Sequence, residues 1–136
     1  MQFDTKIAVA IRSDLEIWQK LNVAAFLASG IAPAFPDCIG EPFEDGSGTQ
    51  YHPLIGQPTL IYGADKAALS RALERALARD VKPAVYTEEM FKATHDAANR
   101  AVVKAVARGD LNLVGLAFRA ERKVIDKVVD GLKFHS

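Results

Sequence analysis

The sequence predicts a single α/β domain over residues 1–136, with helices covering both faces of a β-sheet. The first observation is an unbroken apolar run at residues 7–11, which is typical of a central strand buried on both faces. The second is the alternation of short apolar runs with helical segments along the rest of the chain. The composition, 49% hydrophobic and 25% charged, suits one globular domain with its own core.

The first helix follows this strand closely. Ser13 and Glu16 have the three-residue spacing of a capping box, which predicts a helix start within a residue or two. After Lys20 the segment is almost wholly apolar, which predicts a helix buried on all sides, and Gly30 indicates its end. Asn22 is the polar exception. We expect it to hydrogen-bond within the protein, with contact to a ligand as the alternative.

Residues 33–58 form the longest connection between the predicted elements. They hold five of the six prolines in the chain, which predicts an irregular loop with a small hairpin around residues 45–48. Loops of this length in compact domains are usually functional or mobile. The aromatic residues Phe35, Phe43 and Tyr51 predict that this loop packs onto the body of the domain.

Three more strands and a series of helical segments complete the chain. The strands are predicted at residues 59–62, 84–86 and 111–118. Asp65 and Thr94 are the expected N-caps of two helices, and Thr87 is expected to cap a short helical turn. The last helix is predicted over residues 121–130.

Several short segments resemble a known family. Arg12-Ser13-Asp14-Leu15, the small residues around Ala24-Ala25, and Ile125-Asp126-Lys127-Val128 resemble segments of peptidyl-tRNA hydrolase II in the same order. Residues 20–31, 85–91 and 112–119 are similar to an uncharacterised bacterial domain family that shares this fold. The resemblance implies a three-layer α/β/α fold with a mixed four-stranded sheet in the order 2-1-4-3, the last strand antiparallel. Together with the loop aromatics, it also implies a homodimer.

The resemblance does not carry the hydrolase activity with it. That family uses a lysine four residues before a glutamine on its first helix, and the corresponding positions are Asn22 and Phe26. The acidic residue after the third strand falls near Glu89, and a family threonine falls near Thr94. Half of the catalytic constellation is therefore absent.

A site is expected at the carboxyl ends of the strands, where the strand order reverses. In one interpretation Asp14, Asn22, Glu89 and His95 perform acid–base chemistry there, with Asp96 within reach. The ligand-binding residues would be Arg12, Ser13, Thr87 and Glu88. The alternative is that Ser13 and Thr87 cap helices and that the neighbouring acids stabilise helix N-termini electrostatically.

The charge and hydropathy of the chain limit the classes of binding partner that we expect. The 17 basic and 17 acidic residues cancel, which argues against general binding to nucleic acid or to a membrane. A row of arginines, Arg71, Arg75 and Arg79, favours a solvated helix face, with RNA contact as the weaker alternative. No stretch has the ~20 apolar residues of a membrane span, and the N-terminus lacks a signal-peptide pattern.

Cysteine and histidine content points to no cofactor. One cysteine, Cys38, suits a reducing compartment, and we expect a cytoplasmic protein. Pairing of Cys38 with His52 or His95 is the alternative to an ordinary packed cysteine. The scattered histidines predict no metal site, and no glycine-rich phosphate loop follows a strand.

Two classes of function remain after these exclusions. The first, which we favour, is a ligand-binding or regulatory module that takes a small molecule. The second is a hydrolase of an ester or amide, such as a peptidyl-tRNA-like substrate, that uses the cleft at the strand ends.

Overall fold

The computed structural model describes residues 3–136, which form one mixed sheet, four helices and a separate small hairpin. The strands are β1 (Thr5–Arg12), β2 (Phe43–Glu44), β3 (Gln50–Tyr51), β4 (Thr59–Ala64), β5 (Ala84–Thr87), β6 (Leu113–Glu121) and β7 (Lys133–Phe134). The helices are α1 (Ile17–Ala34), α2 (Lys66–Ala78), α3 (Asp96–Lys104) and α4 (Arg122–Val128). Within residues 3–136 there is no helix both long and apolar enough to cross a membrane.

The sheet has the strand order β5-β6-β1-β4-β7, with β1 at its centre. Strand β1 runs parallel to β4 and antiparallel to β6. Ile7, Val9 and Ile11 are almost fully buried, so the prediction of a central first strand is confirmed. The predicted count of four strands is wrong, because β7 adds a fifth strand beside β4. Two residues are too few to give a recognisable periodic pattern.

Helices cover both faces of this sheet. On one face Ile7, Val9 and Ile11 pack with Val23 and Leu27 of α1. On the other face the intervening alanines of β1 pack with α2 and α4. That second cluster includes Ala8, Ala10, Leu69, Leu73, Phe118 and Ile125. The alternation along β1 therefore sends branched side chains towards α1 and small ones towards α2 and α4.

Helix α1 differs from its prediction at both ends. Its N-cap is Glu16, whose N–H donates to Oε1 of Gln19 at 2.9 Å, whereas the N–H of Ser13 donates to the carbonyl of Ala64 at 2.9 Å. The helix also continues through Gly30 to Ala34. A Cβ at Gly30 would lie 3.1 Å from Cβ of Ala84, so this glycine lets α1 approach β5 closely instead of ending the helix.

The expectation that α1 is buried on all sides is also wrong. Its inward stripe of Val23, Leu27 and Ile31 is buried against the sheet. Its outward side carries large apolar residues that are exposed: Ile17, Trp18, Leu21 and Phe26. Hydrophobicity alone predicts burial, but among residues 3–136 the outer side of the helix is covered only in part, by Phe91 beside Trp18 and Tyr86 beside Phe26.

The connection from α1 to β4 contains the expected hairpin. Strands β2 and β3 pair antiparallel around a turn at residues 45–48, which confirms that prediction. Phe35 is half-buried, with the guanidinium of Arg119 5.2 Å from its ring centroid. The packing expected of Phe43 and Tyr51 is wrong, because both side chains are exposed.

Smaller corrections apply to the second half of the chain. His95, not Thr94, is the N-cap of α3, and its Nδ1 accepts a hydrogen bond from the N–H of Ala98 at 3.2 Å. Strand β6 begins two residues later than predicted and ends at Glu121, and α4 begins at the next residue, Arg122.

Candidate functional site

Arg12 organises the edge of the sheet at which β1, β4 and β5 end. Its Nε lies 2.6 Å from Oδ1 of Asp14, and its Nη2 lies 3.6 Å from Oε1 of Glu88. Its Nη1 donates to Oδ1 of Asn112 at 3.4 Å and to the carbonyl of Leu113 at 3.5 Å. Three of the predicted site residues, Arg12, Asp14 and Glu88, are therefore brought together.

Asn112 is a member of this cluster that the sequence interpretation did not include. Its Nδ2 donates to Glu88, and the N–H of Glu88 donates to the carbonyl of Asn112 at 2.9 Å. The signal was a lone polar residue between Leu111 and Leu113 at the start of an apolar strand. Because β6 runs antiparallel to β1, the start of β6 lies at the edge where β1 ends.

The Arg12 cluster binds the ends of three strands together. The Arg12 side chain is only 13% exposed, and its guanidinium already contacts two carboxylates, a side-chain amide and a carbonyl. A guanidinium has five N–H donors in a fixed fork, and protein groups occupy most of that fork here. This arrangement holds the sheet edge in place and leaves Arg12 little capacity to bind a further anion.

The other predicted site residues take separate positions. Ser13 and Glu89 are exposed, Asn22 is half-buried, and His95 caps α3. Thr87 is buried, and among the described residues its Oγ1 has no hydrogen-bond partner. Within residues 3–136, no side-chain hydrogen bond or ion pair joins Asn22, Glu89 or His95 to the Arg12 cluster.

A groove between α1 and α3, with β5 as its base, offers a different site. This α1–α3 groove encloses about 510 Å³. Its apolar lining includes Phe26, Leu27, Tyr86, Met90 and Val103. Its polar and charged lining consists of Asp96, Asn99, Arg100 and Lys104, all from α3. A groove of this volume with apolar walls and a few polar groups is typical of small-molecule sites.

Aromatic side chains connect this groove to the start of α1. The ring of Tyr86 lies 5.8 Å from that of Phe26 and 5.1 Å from that of Phe91, between centroids. Phe91 in turn lies 5.8 Å from Trp18 in an edge-on arrangement. Burial raises the pKa of Tyr86, because the low-dielectric surroundings disfavour the charged phenolate. Trp18 is the one tryptophan of the chain, so its fluorescence can report on the groove.

The charged side of the groove has a net positive character. Asp96 and Arg100 form an ion pair one turn apart, and Lys104 adds an exposed ammonium at the end of α3. Oδ1 of Asn99 is buried, with no hydrogen-bond partner in the described part of the chain. No sequence pattern reveals these lining residues, because the groove forms only where α1, β5 and α3 meet in the folded protein.

The groove lining lacks the usual nucleophiles of covalent catalysis. The lining of the α1–α3 groove contains neither a histidine nor a serine or cysteine nucleophile. Cys38 is a free, buried thiol. In the part of the chain that the structure describes, no three side chains among His, Cys, Asp and Glu lie together as metal ligands would.

Comparison with known proteins agrees with this absence of an evident activity. Residues 5–136 match DUF2000, a family described as proteins of unknown function. A solved structure of a protein of unknown function from Agrobacterium tumefaciens strain C58 is 48% identical, with a TM-score of 0.97 over 99% of this chain and 100% of that chain. None of the curated proteins matches this sequence. The chain belongs to the DUF2000 family.

Proposed function

We propose that this protein is a ligand-binding module whose α1–α3 groove takes a small amphipathic molecule with an apolar body and an anionic head. The observation that carries this proposal is the composition of the groove, with apolar walls beside the cations Arg100, which is paired with Asp96, and Lys104, whose charge Asp96 does not offset. Apolar contact would supply affinity, and the cations would select the charge and orientation of the ligand.

A short-chain carboxylate such as octanoate is the simplest probe of that class. Each buried CH₂ contributes about 0.8 kcal/mol, so six buried methylenes contribute roughly 5 kcal/mol. An exposed ion pair to Lys104 adds about 0.2–1 kcal/mol. These gains sum to roughly 5–6 kcal/mol, the equivalent of about 10⁻⁴ M, and lost translational and rotational freedom opposes them, so we expect a dissociation constant of about 1 mM or weaker.

Fluorescence of Trp18 and isothermal calorimetry would follow octanoate binding. Val103→Phe fills the groove and is expected to weaken binding at least ~10-fold, the equivalent of about 1.4 kcal/mol. Val102→Phe is the matched control, since Val102 is a half-buried neighbour on α3 that lies outside the groove lining. Lys104→Gln should weaken octanoate binding and leave octanol binding unchanged. Equal binding by the wild type and Val103→Phe would exclude this groove as the site.

The hydrolase alternative, with Asp14, Asn22, Glu89 and His95 as catalytic residues, has less support. Asp14 contacts Arg12, and Nδ1 of His95 accepts a hydrogen bond from the helix that it caps. We infer that Arg12, Ser13, Thr87 and Glu88 stabilise the sheet edge and do not contact a ligand. A peptidyl-tRNA cleavage assay separates the two functions. We expect no turnover, and robust turnover abolished by Glu89→Ala would favour the hydrolase.

We also infer that the fold is of the peptidyl-tRNA hydrolase II type and that the protein is cytoplasmic. The fold inference is supported by the central β1, the parallel β1–β4 pair and the antiparallel β6. Superposition on a hydrolase structure of that family would test it. A free, buried Cys38 suits a reducing compartment, and fractionation of cells would test that expectation.

A further inference from the structure

Cations from two neighbouring helices line an open cleft on the face of the sheet opposite α1. Helices α2 and α4 pack on that face through Leu69, Leu73 and Ile125. They border a cleft of about 590 Å³, which we call the α2–α4 cleft. Its lining is charged throughout and consists of Arg75, Arg79, Lys123, Asp126, Lys127 and Asp130. None of these residues lines the α1–α3 groove.

The acidic residues of the two helices pair with cations that lie outside the cleft. Glu74 is the acidic residue of α2, and its Oε1 lies 2.9 Å from Nε of Arg108. Asp126 is the acidic residue of α4, and its Oδ1 lies 2.7 Å from Nζ of Lys6. Among residues 3–136, no ion pair involves any of the four cations of the cleft lining. These four cations are therefore left with one carboxylate that has no ion pair of its own, that of Asp130.

The cations occur in two rows with a spacing of about one helical turn. Arg75 and Arg79 are four residues apart at the end of α2, and Lys123 and Lys127 are four residues apart on α4. Like charges at this spacing destabilise a helix. A helix dipole favours cations in the last turn, but Lys123 lies in the first turn of α4, where the dipole disfavours a cation. Helix stability alone therefore does not account for the charge of the cleft.

Backbone carbonyls orient the two guanidinium groups. Nη1 of Arg75, a half-buried residue, donates to the carbonyl of Asp130 at 2.9 Å, and Nη1 of Arg79 donates to the carbonyl of Arg75 at 3.0 Å. In the described part of the chain, these are the side-chain hydrogen bonds that the two arginines make. A guanidinium has five N–H donors in a fixed fork, so most donors of each group stay available for a bidentate contact with a phosphoryl group.

The amount of charge distinguishes between classes of phosphate ligand. One phosphate group carries about −1.5 to −2 near neutral pH, which would leave much of the charge of the four cations unmatched. Three linked phosphoryl groups carry roughly −4 and match it more closely. Binding sites for single-stranded nucleic acid combine cations with aromatic side chains on which bases stack, and the lining of this cleft contains none.

We propose that the α2–α4 cleft binds a compact oligophosphate with at least three linked phosphoryl groups. The guanidinium groups of Arg75 and Arg79 bind phosphoryl oxygens from the α2 side, and the ammonium groups of Lys123 and Lys127 bind them from the α4 side. The phosphate chain is the recognised chemistry, whether it is free or part of a nucleoside triphosphate. This proposal is independent of ligand binding in the α1–α3 groove, which lies on the other face of the sheet.

Isothermal calorimetry with inorganic tripolyphosphate tests this site. At about 0.15 M salt the Debye length is about 8 Å, so diffuse attraction between the protein and the anion is largely screened. We expect saturable binding with a dissociation constant below about 1 mM, and at least ~10-fold weaker binding of orthophosphate. Adenosine triphosphate is the second arm of the experiment. Equal affinity would identify the phosphate chain as the ligand and tighter binding would identify a nucleotide, and either result supports the site.

Matched lysine variants locate the binding. Lys127→Gln removes a cation from the cleft and should weaken tripolyphosphate binding about 5-fold. Lys92→Gln makes the same change at an exposed lysine outside the lining and should leave the affinity unchanged. Arg79→Gln/Lys127→Gln should weaken binding by ~20-fold or more. Circular dichroism confirms that each variant is folded, and octanoate binding by the double variant should equal that of the wild type, so the two sites are separable.

Four results would overturn the proposal. They are the absence of saturable binding to the wild type, an equal loss of affinity in Lys92→Gln and Lys127→Gln, and orthophosphate binding as tight as that of tripolyphosphate. The fourth is tighter binding of single-stranded RNA than of tripolyphosphate at equal phosphate concentration, because that result would indicate a nucleic-acid surface instead of a site for a compact anion.

Discussion

Helix α1 approaches β6 closely at Gly115, and this close approach makes a specific prediction about packing. A Cβ at this position would lie 2.6 Å from Cγ1 of Val23 and 2.8 Å from Cδ1 of Leu27. Carbon atoms in contact normally lie about 3.5–4.0 Å apart. Gly115→Ala therefore forces α1 away from β6 by roughly 1 Å or moves both side chains off their rotamers.

The expected cost follows from these distances. Overpacking a buried site costs about 1–3 kcal/mol, and replacing glycine returns about 0.4–1 kcal/mol through the unfolded state. We expect Gly115→Ala to lower the free energy of unfolding by about 1–2 kcal/mol. Because Leu27 also lines the α1–α3 groove, octanoate affinity should fall as well.

Urea unfolding followed by circular dichroism measures this cost. Gly109→Ala is the control, since a Cβ there meets no atom within 4 Å among the described residues, and its effect should stay within about 0.5 kcal/mol. In Gly115→Ala/Val23→Ala, removal of Cγ1 makes room for the new methyl group. The double variant should be more stable than the sum of the single effects by about 0.5–3 kcal/mol. A neutral Gly115→Ala, or strictly additive effects, would refute the close approach of α1.

Three further predictions concern the polar contacts. Arg12→Met removes the hydrogen bonds that join β1 to Asn112 and Glu88, and urea unfolding should show a loss of about 1–3 kcal/mol that Arg12→Lys does not restore. Hydrogen bonds from Tyr51, Thr49 and Ser47 lower the pKa of Asp45, so the β2–β3 hairpin should keep its order above the usual carboxyl pKa and lose it as the pH falls through the lowered value. In Tyr51→Phe this loss should occur at higher pH, which NMR of the Ser47 amide can follow. Burial acts to lower the pKa of Lys6, but hydrogen bonds to Asp126 and Tyr62 outweigh burial and raise it. Lys6 therefore stabilises the fold below the usual lysine pKa, and this stabilisation is lost as the pH rises through the raised value. In Asp126→Asn that loss of stability should begin at lower pH in alkaline unfolding curves.

The central strand and the layers could be predicted because they depend on local patterns. An unbroken apolar run at residues 7–11 has few alternatives to burial on both faces, and β1 is indeed central. The helix N-caps were harder to predict, because several residues near the start of a helix can accept the same hydrogen bond. Glu16 and His95 took positions for which Ser13 and Thr94 are the more usual residue types.

The exposure of the outer side of α1 and the presence of the α1–α3 groove could not be predicted from sequence patterns, for a different reason. An apolar residue such as Leu21 looks the same whether its own chain or another surface covers it. The groove requires Phe26, Tyr86 and Val103 to converge from three elements, and their separation in sequence reveals nothing of this. Part of the Arg12 cluster could be predicted from the sequence, since Arg12, Asp14 and Glu88 lie at the ends of strands that end at one edge of the sheet.

The most direct test of the proposed function is an amide chemical-shift titration with octanoate. Binding in the α1–α3 groove predicts saturable shifts confined to β5, α3 and the middle of α1, with the largest at Tyr86, Asn99 and Val103. The same titration of Val103→Phe should show almost none of these shifts. Shifts centred on α2 and α4, or no saturable shift in the wild type, would contradict the proposal.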